Sequence, residues 1–479
     1  MIRSSTLLTV IVAACLLPLL PVTKVMAQPD TVWTRLLSPA AFNYNMEFIH
    51  TRDGGFAFCG AISPQIEGRR DADFCLTKTD SLGRWEWNGR YEGFPNGRHQ
   101  NDDARGMRQL SDGGFILVGE GGGGIGMMVR TDSAGEMIWT RYFLQNLGVY
   151  WIESCELAED DHFVVVGRDR AAEIDGEGEV VWHRRYGGEG NERFWTLTRC
   201  SDGGYLLVGE TTSMGEGWAD FYAVKIDPEG EVEWERSYGT EDNDVCGAVV
   251  ETSDGGYCLA GSSRFAPGSD GIYAMVVRIN IDGELIWQLV YDEFDPGGHL
   301  DDIVQTSDGG FAIAGVDWSQ NGFYLLRVDA EGDVLWRTFY GDDPMDWCFS
   351  LILMEDGGYF LGGIGNRGAK LVRTEPDPLY DAGVRLPDPA VPTRFNLTSI
   401  HPNPFNEQVR VTFTLPEQAV VELKLYDVTG RMVDTIVHRS FDAGKHTASW
   451  HGSGYSAGLY LVKFEAGDVV QTRKMVLVK

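Results

Sequence analysis

One phrase built on Asp-Gly-Gly recurs seven times at intervals of 42 to 59 residues: TRDGGFAFCG from Thr51, LSDGGFILVG from Leu110, AEDDHFVVVG from Ala158, CSDGGYLLVG from Cys200, TSDGGYCLAG from Thr252, TSDGGFAIAG from Thr306 and MEDGGYFLGG from Met354. A period of this size commits a chain to a repeat architecture, because one unit cannot bury its apolar face alone and must stack on the next. The third copy has lost both glycines.

Each phrase is followed by a β-rich run, a turn and a Trp-bearing run, as in YAVKIDPEGEVEWERSYG from Tyr222 and YLLRVDAEGDVLWRTFYG from Tyr324. Asp-Gly between alternating runs marks a hairpin, since its turn needs a positive φ that Gly adopts without steric cost. The Asp-x-x-Gly phrase makes the next turn. One repeat therefore reads as four antiparallel strands, for instance 245–252, 256–262, 272–280 and 284–291, which is the pattern of a propeller blade. No stretch has the 3.6-residue periodicity a helical solenoid needs.

The Trp runs begin one step before the hairpins. Trp33 precedes the first Asp-Gly-Gly; Trp85, Trp139, Trp182, Trp234, Trp287 and Trp336 follow the first six. The seventh hairpin has none after it, so TVWTRLL from Thr31 is expected to supply the fourth strand of the last blade and close the ring, leaving no open edge. Residues repeated at one place in every blade pack blade on blade, which is the reading taken for this Trp series over ligand stacking.

These repeats resemble the Asp-Gly-Gly propeller repeats of secreted proteins from Bacteroidetes-like bacteria, over residues 31–374. Asp-x-x-Gly-x-x-x-Trp, as in KIDPEGEVEW from Lys225, is also similar to the tryptophan-docking repeat of pyrroloquinoline quinone propellers, but those usually have eight repeats and no quinone-site motif is present here.

The ends of the chain carry different signals. MIRSSTLLTVIVAACLLPLLPVTKVMAQPD has an Arg before an apolar run and small residues at Val25 and Ala27, the form of a secretory signal peptide, with cleavage expected after Ala27. Pro18 and Pro21 interrupt the run, which argues against a membrane anchor, and no later segment is apolar enough to cross a bilayer. At Glu375 the composition turns Pro-rich, so 375–394 reads as a linker. Residues 395–479 then alternate as the strands of a small immunoglobulin-like sandwich. Within it, PNPFN from Pro402, YDVTGR from Tyr426, AGKH from Ala443 and AGLY from Ala457 closely resemble the C-terminal sorting domain of type IX secretion cargo and the related sandwich of flagellar hook-capping proteins. That resemblance implies export across an outer membrane, with secretion machinery as a partner and the cell surface or surroundings as destination. His451 stands between Trp450 and Gly452, where those families usually have Asp or Asn. The expected whole is all-β: signal peptide 1–27, seven-bladed β-propeller 28–374, linker, and sandwich 395–479.

The net charge is −31. Residues 395–479 carry nine Lys/Arg against eight Asp/Glu, so nearly all the acidity lies in the propeller region. That argues against nucleic acid, which needs a basic footprint. Seven cysteines remain after the leader, an odd number without metal spacing; Cys59 and Cys75 lie on consecutive expected strands, where either a local bridge or two buried thiols fits.

Motifs of catalysis are weak. Gly454 to Gly458 spells G-x-S-x-G, but between two strands rather than at a strand-to-helix elbow. The glycines from Gly119 to Gly126 have no helix behind them, as a dinucleotide loop requires. No HExxH or zinc spacing occurs. The series that remains lies ten residues before the hairpin Asp: Asp102, Glu192, Asp244 and Asp346, with Asp301 and Asp302 nearby in a shortened loop. Crowded on one face around the channel, such carboxylates would supply oxygen ligands for Ca²⁺ or an acid–base pair; the alternative is that each caps amides of its own loop. The expected function is a non-enzymatic surface-interaction protein that binds a glycan, peptide or surface protein, with a glycan hydrolase or lyase, or a structural adhesive protein, as alternatives.

Overall fold

The computed structural model describes residues 28–37, 42–43, 47–62, 72–92, 101–122, 124–143, 151–215, 217–264, 271–291, 298–317, 322–341, 346–365, 368–380, 395–401, 405, 408–467 and 469–478. The expected signal peptide lies outside them. All the secondary structure described is β.

The repeat dictates four-stranded antiparallel sheets, and among the described residues six such blades appear together with a five-stranded blade one, where both Phe42–Asn43 and Phe48–His50 pair with Phe56–Ile62. Blade four is representative, with strands Glu192–Arg199, Tyr205–Thr211, Asp220–Ile226 and Val232–Tyr238 in sequence order from the inside out. Innermost strands touch those of the next blade all the way round, and Trp347–Leu353 of blade seven meets Phe48–His50 of blade one, so the ring is closed. Thr31–Leu37 pairs antiparallel with Gly368–Pro376 as the outer strand of blade seven.

Two turn types alternate at one end of the blades. In the Asp-Gly-Gly hairpin the first Gly is left-handed, as at Gly54 with φ 82° and Gly203 with φ 91°. The hairpin Asp accepts from the second Gly, as Gly204 N–H to Asp202 at 2.9 Å, and receives a cation from the third strand. The cation pairs are Lys78–Asp53 at 2.8 Å, Arg130–Asp112 at 2.9 Å, Lys225–Asp202 at 3.0 Å, Arg278–Asp254 and Arg327–Asp308 at 2.6 Å, and Arg373–Asp356. Blade three solves the loss of its glycines differently. Asp160 and Asp161 both take left-handed φ, 56° and 60°, as the two central residues of a tight hairpin turn, a conformation Asp tolerates better than most residues. His162 fills the second Gly position and pairs at 2.6 Å with Glu173, which replaces the third-strand cation.

The recurring Trp packs on the Asp-x-x-Gly turn of the following blade. A Cβ on Gly283 would meet the Trp234 ring at 2.8 Å and one on Gly230 the Trp182 ring at 2.9 Å, so only Gly fits under the indole. Trp33 does the same to Gly83 across the closing joint, at 2.7 Å. In blade one the residue in register is Trp87, opposite Lys78 as Trp234 is opposite Lys225. Trp85, read from the sequence as the repeat position, instead sits two residues earlier and is exposed. A second joint runs from the last Tyr of a blade to the next Gly carbonyl: Tyr238 to Gly283 at 2.6 Å, Tyr291 to Gly332 at 2.9 Å. Blade seven has no such Gly, and Tyr340 donates to the carbonyl of Pro29 at 2.8 Å.

The chain leaves the propeller at this same turn end. Asp377 is buried, bonded to Arg327 at 3.0 Å and to the Tyr359 hydroxyl at 2.6 Å, and Tyr380 covers Gly357. Residues 375–380, read as linker, therefore pack on blades six and seven. The C-terminal unit is a sandwich of two sheets, three and four strands, around one core that includes Phe413, Trp450, Val462 and Phe464. The seven cysteines are free and buried. Cys75 faces Gly60 in register, which sends Cys59 to the opposite face of blade one and excludes a local bridge.

Candidate binding site at the channel mouth

The Asp-Gly-Gly hairpins and the Asp-x-x-Gly turns lie at one end; the connections between strands two and three, and between blades, lie at the other. This loop end is where the repeat stops dictating residue types. The innermost strands carry a β-bulge at a common place, at Arg105, Trp195, Gly247, Asp301 and Phe349. A bulge opposes two residues to one and turns the strand locally. Consecutive residues such as Asp301 and Asp302 are consequently both partly open to the channel rather than alternating. Asp301 and Asp302 therefore sit within strand Gly298–Gln305, not in a loop as the sequence suggested.

One step on from the bulge, most blades have a small residue: Gly106, Ser154, Thr196, Ala248, Ser350. Blades one and six have Glu47 and Asp302, and both reach a backbone amide of the following blade, Met107 N–H to Glu47 at 2.6 Å and Leu351 N–H to Asp302 at 2.7 Å. Ser350 accepts from Phe48 N–H at 3.1 Å in the same way. Arg108 bridges Glu47 and, at 2.6 Å, Glu156. Burial pushes the Asp301 carboxyl up to about 7, helped by the charge of Asp302; burial also raises Asp302 to about 7 against the two amides that favour its charge.

Toward the mouth, over blades two to four, guanidinium and indole groups interleave. The Arg168 guanidinium lies 4.3 Å over the Trp151 ring, and Arg193 lies 3.5 Å over Trp195 and 6.0 Å from Trp151. Glu153, buried, joins Arg193 at 2.6 Å to Arg105 at 2.5 Å, and Arg105 continues to Glu120 at 3.0 Å. Trp151 Nε1, Trp195 Nε1 and Arg193 Nε are buried donors with no hydrogen-bond partner among the described residues, and Arg105 Nε lies 3.5 Å from the Asp103 carboxylate. Across the mouth Trp347 stands edge-on to Phe349, centroids 6.1 Å apart. On the blade-four loop Trp218 is 82% exposed. Sequence reasoning passed over these tryptophans because the repeat series drew attention to the others; what could have found them is that they fall outside the Asp-x-x-Gly-x-x-x-Trp phrase, with Trp151 and Trp347 both nine residues before a hairpin Asp.

The four carboxylates singled out from the sequence lie at the loop-end start of innermost strands, each in its own blade. Asp102 accepts from Gly122 N–H at 2.7 Å. Glu192 accepts from Thr211 Oγ1 at 3.2 Å and from Ser213. Asp244 accepts from Thr240 N–H at 2.5 Å, and Asp346 pairs with Lys370. Among the described residues no three His, Cys, Asp or Glu side chains gather as a metal-ligand group. No helix is long and apolar enough to cross a membrane.

Residues 399–479 match the family of secretion system C-terminal sorting domains. No curated protein matches the chain. Among solved structures, a Bacteroides caccae protein of unknown function is similar at 14% identity and TM-score 0.35, covering 51% of this chain and 81% of that one. The extracellular domain of a hybrid two-component system from B. thetaiotaomicron is similar at 11% identity and TM-score 0.40, with 91% of this chain covered and about half, 55%, of that one. A mitotic checkpoint complex chain is similar at 10% identity and TM-score 0.46, with 79% and 99% covered. With the sorting domain at one end and antiparallel blades before it, the chain is a secreted β-propeller protein addressed to the type IX secretion machinery.

Proposed function

We propose that the protein is an exported, non-enzymatic binding module whose loop end takes a glycan, delivered to the cell surface or its surroundings by the sorting domain. The observation that carries this is the division of aromatic residues. The repeat tryptophans are spent on blade joints at the turn end, whereas Trp151, Trp195, Trp218 and Trp347 lie at the loop end, outside the Asp-x-x-Gly-x-x-x-Trp phrase. Aromatic walls with a few convergent polar groups are the chemistry of a ligand site. The chain exit at Asp377 to Tyr380 supports the same polarity, because a tether at the turn end leaves the loop end free. Thermal unfolding of the full exported chain against soluble polysaccharides, peptides, Ca²⁺ and pyrroloquinoline quinone tests the reading, since a ligand of the native state raises the melting temperature by mass action. A shift with a polysaccharide alone is expected; a shift with the quinone or with none of them would sink it.

A second reading rests on Asp301 and Asp302, two adjacent channel carboxyls poised near neutrality, as an acid–base pair of a glycan hydrolase or lyase. Release of reducing ends that falls away in Asp301→Asn would favour it over binding alone.

A further inference from the structure

We infer that the channel mouth over blades two to four binds an acidic saccharide, its carboxylate held by Arg168 and its sugar ring against Trp151 and Trp195. This rests on the binding reading above and gives it a site and a ligand charge. In a chain of net charge −31 many arginines are claimed by carboxylates, and the two that flank the stack, Arg105 and Arg193, both are. Arg168 is exposed, and among the described residues its guanidinium meets only the Trp151 ring.

The backbone supports a purpose for that contact. Trp151 and Arg168 are both non-glycine residues with φ 48°, and apart from the blade-three hairpin they alone among the described residues hold a left-handed conformation without being Gly. Each costs on the order of 1 kcal/mol, and strain of this kind persists where a site requires it. Arg168 is locked in place by an isolated bridge to blade four, its carbonyl accepting from Phe194 N–H at 2.8 Å, which carries it to the stack formed by Trp151, Arg193 and Trp195. Gly124 of blade two leaves room for Trp151, since a Cβ there would meet Nε1 at 2.8 Å.

The hydrogen-bonding balance sets the sign of the ligand. Three N–H donors of the stack, Trp151 Nε1, Trp195 Nε1 and Arg193 Nε, have no hydrogen-bond partner among the described residues, which suits a ligand rich in acceptor oxygen. Arg193 and Arg105 are already neutralised by Glu153 and Glu120, which leaves one unclaimed positive charge, that of Arg168, for one carboxylate. A sugar ring presents an apolar face to an indole while its hydroxyls and carboxylate supply acceptors; an extended acidic peptide supplies the charge without the ring face.

The test titrates the full exported chain by tryptophan fluorescence and calorimetry with oligogalacturonate, oligoalginate, methyl-esterified oligogalacturonate and hexaglutamate, in the native protein and in Arg168→Ala and Arg168→Lys. Arg168 is exposed, so an unchanged melting temperature verifies that these variants fold. The expected result is saturable binding of an acidic oligosaccharide, weakened about tenfold by esterification and by Arg168→Ala, with partial recovery in Arg168→Lys, as removal of one charge-assisted contact predicts. Hexaglutamate binding as tightly, or acidic-saccharide binding indifferent to Arg168→Ala, would overturn the inference. Binding of the neutral ester alone would overturn it while leaving the glycan-binding reading intact, whereas a parallel screen of neutral and acidic polysaccharides without any binding would remove both.

Discussion

At the hairpin end of blade five, Asp254 is largely exposed yet its carboxyl is held below the usual range by the Thr252 hydroxyl, the Gly256 amide and Arg278, which outweigh the effect of burial. In the channel of the next blade, blade six, burial beside Asp302 pushes Asp301 up to about 7. The turn end and the channel of the propeller thus treat a carboxylate oppositely. At the turn end the charged form is the structural one, anchored to a third-strand cation in blade after blade. In the channel the charge is tolerated at a cost, which is a mark of residues kept for something other than stability.

The harshest way to break this contrast is to open the ring. Deleting Thr31–Leu37 removes the outer strand of blade seven, the Trp33 contact with Gly83 and the tether before it, and should lower the melting temperature by about 10 °C or more, given ~2–4 °C per kcal/mol in a domain of this kind; an unchanged melt by circular dichroism would refute closure. Next in size, Trp234→Ala should cost about 3–5 kcal/mol because it empties a blade joint. By contrast Trp218→Ala, on the loop end, should stay within about 0.5 kcal/mol in denaturant unfolding and affect only ligand titrations.

The pH dependence sharpens the comparison. The folded-state values of Asp53, about 2, and of Asp112, Asp254 and Asp308 are depressed, so their contribution is present above the unfolded carboxylate value near 4 and is lost as the pH falls below it. Asp301 and Asp302 are raised to about 7, so the folded state holds their protons longer and stability declines as the pH rises from about 4 through 7. Asp301→Asn should therefore flatten the decline between pH 5 and 8, while Asp254→Asn should flatten the acid limb, in urea unfolding across pH. A small effect of opposite sign belongs to blade three, where Asp161→Gly should stabilise by about 0.5–1 kcal/mol by relieving a left-handed φ.

Much of the fold was legible before any coordinates. Asp-Gly-Gly and Asp-x-x-Gly define two turns and so four strands, and the missing last Trp run pointed to Thr31–Leu37 as the closing strand. The phase of one repeat was not: Trp85 and Trp87 are both Trp, and only pairing with Lys78 distinguishes them. The end of the propeller was misplaced for a similar reason, since proline content said linker while Asp377 and Tyr380 are held by partners far away in sequence, Arg327 and Gly357.

The sequence by itself determined that this is a secreted chain of hairpin repeats ending in a sorting domain, because turn residues and strand alternation act locally and repeat visibly. It could name Asp102, Glu192, Asp244 and Asp346 from their shared offset, but an offset says nothing about what a carboxylate meets. Only the tertiary structure showed that Asp102 and Asp244 accept from backbone amides, that Glu192 accepts from hydroxyls and that Asp346 pairs with Lys370, and that Trp151, Arg168, Arg193 and Trp195 form one stack. Those four come from the loops and inner strands of the adjacent blades three and four, and the packing of one blade on the next, with the bridge from Arg168 to Phe194, is what brings them together.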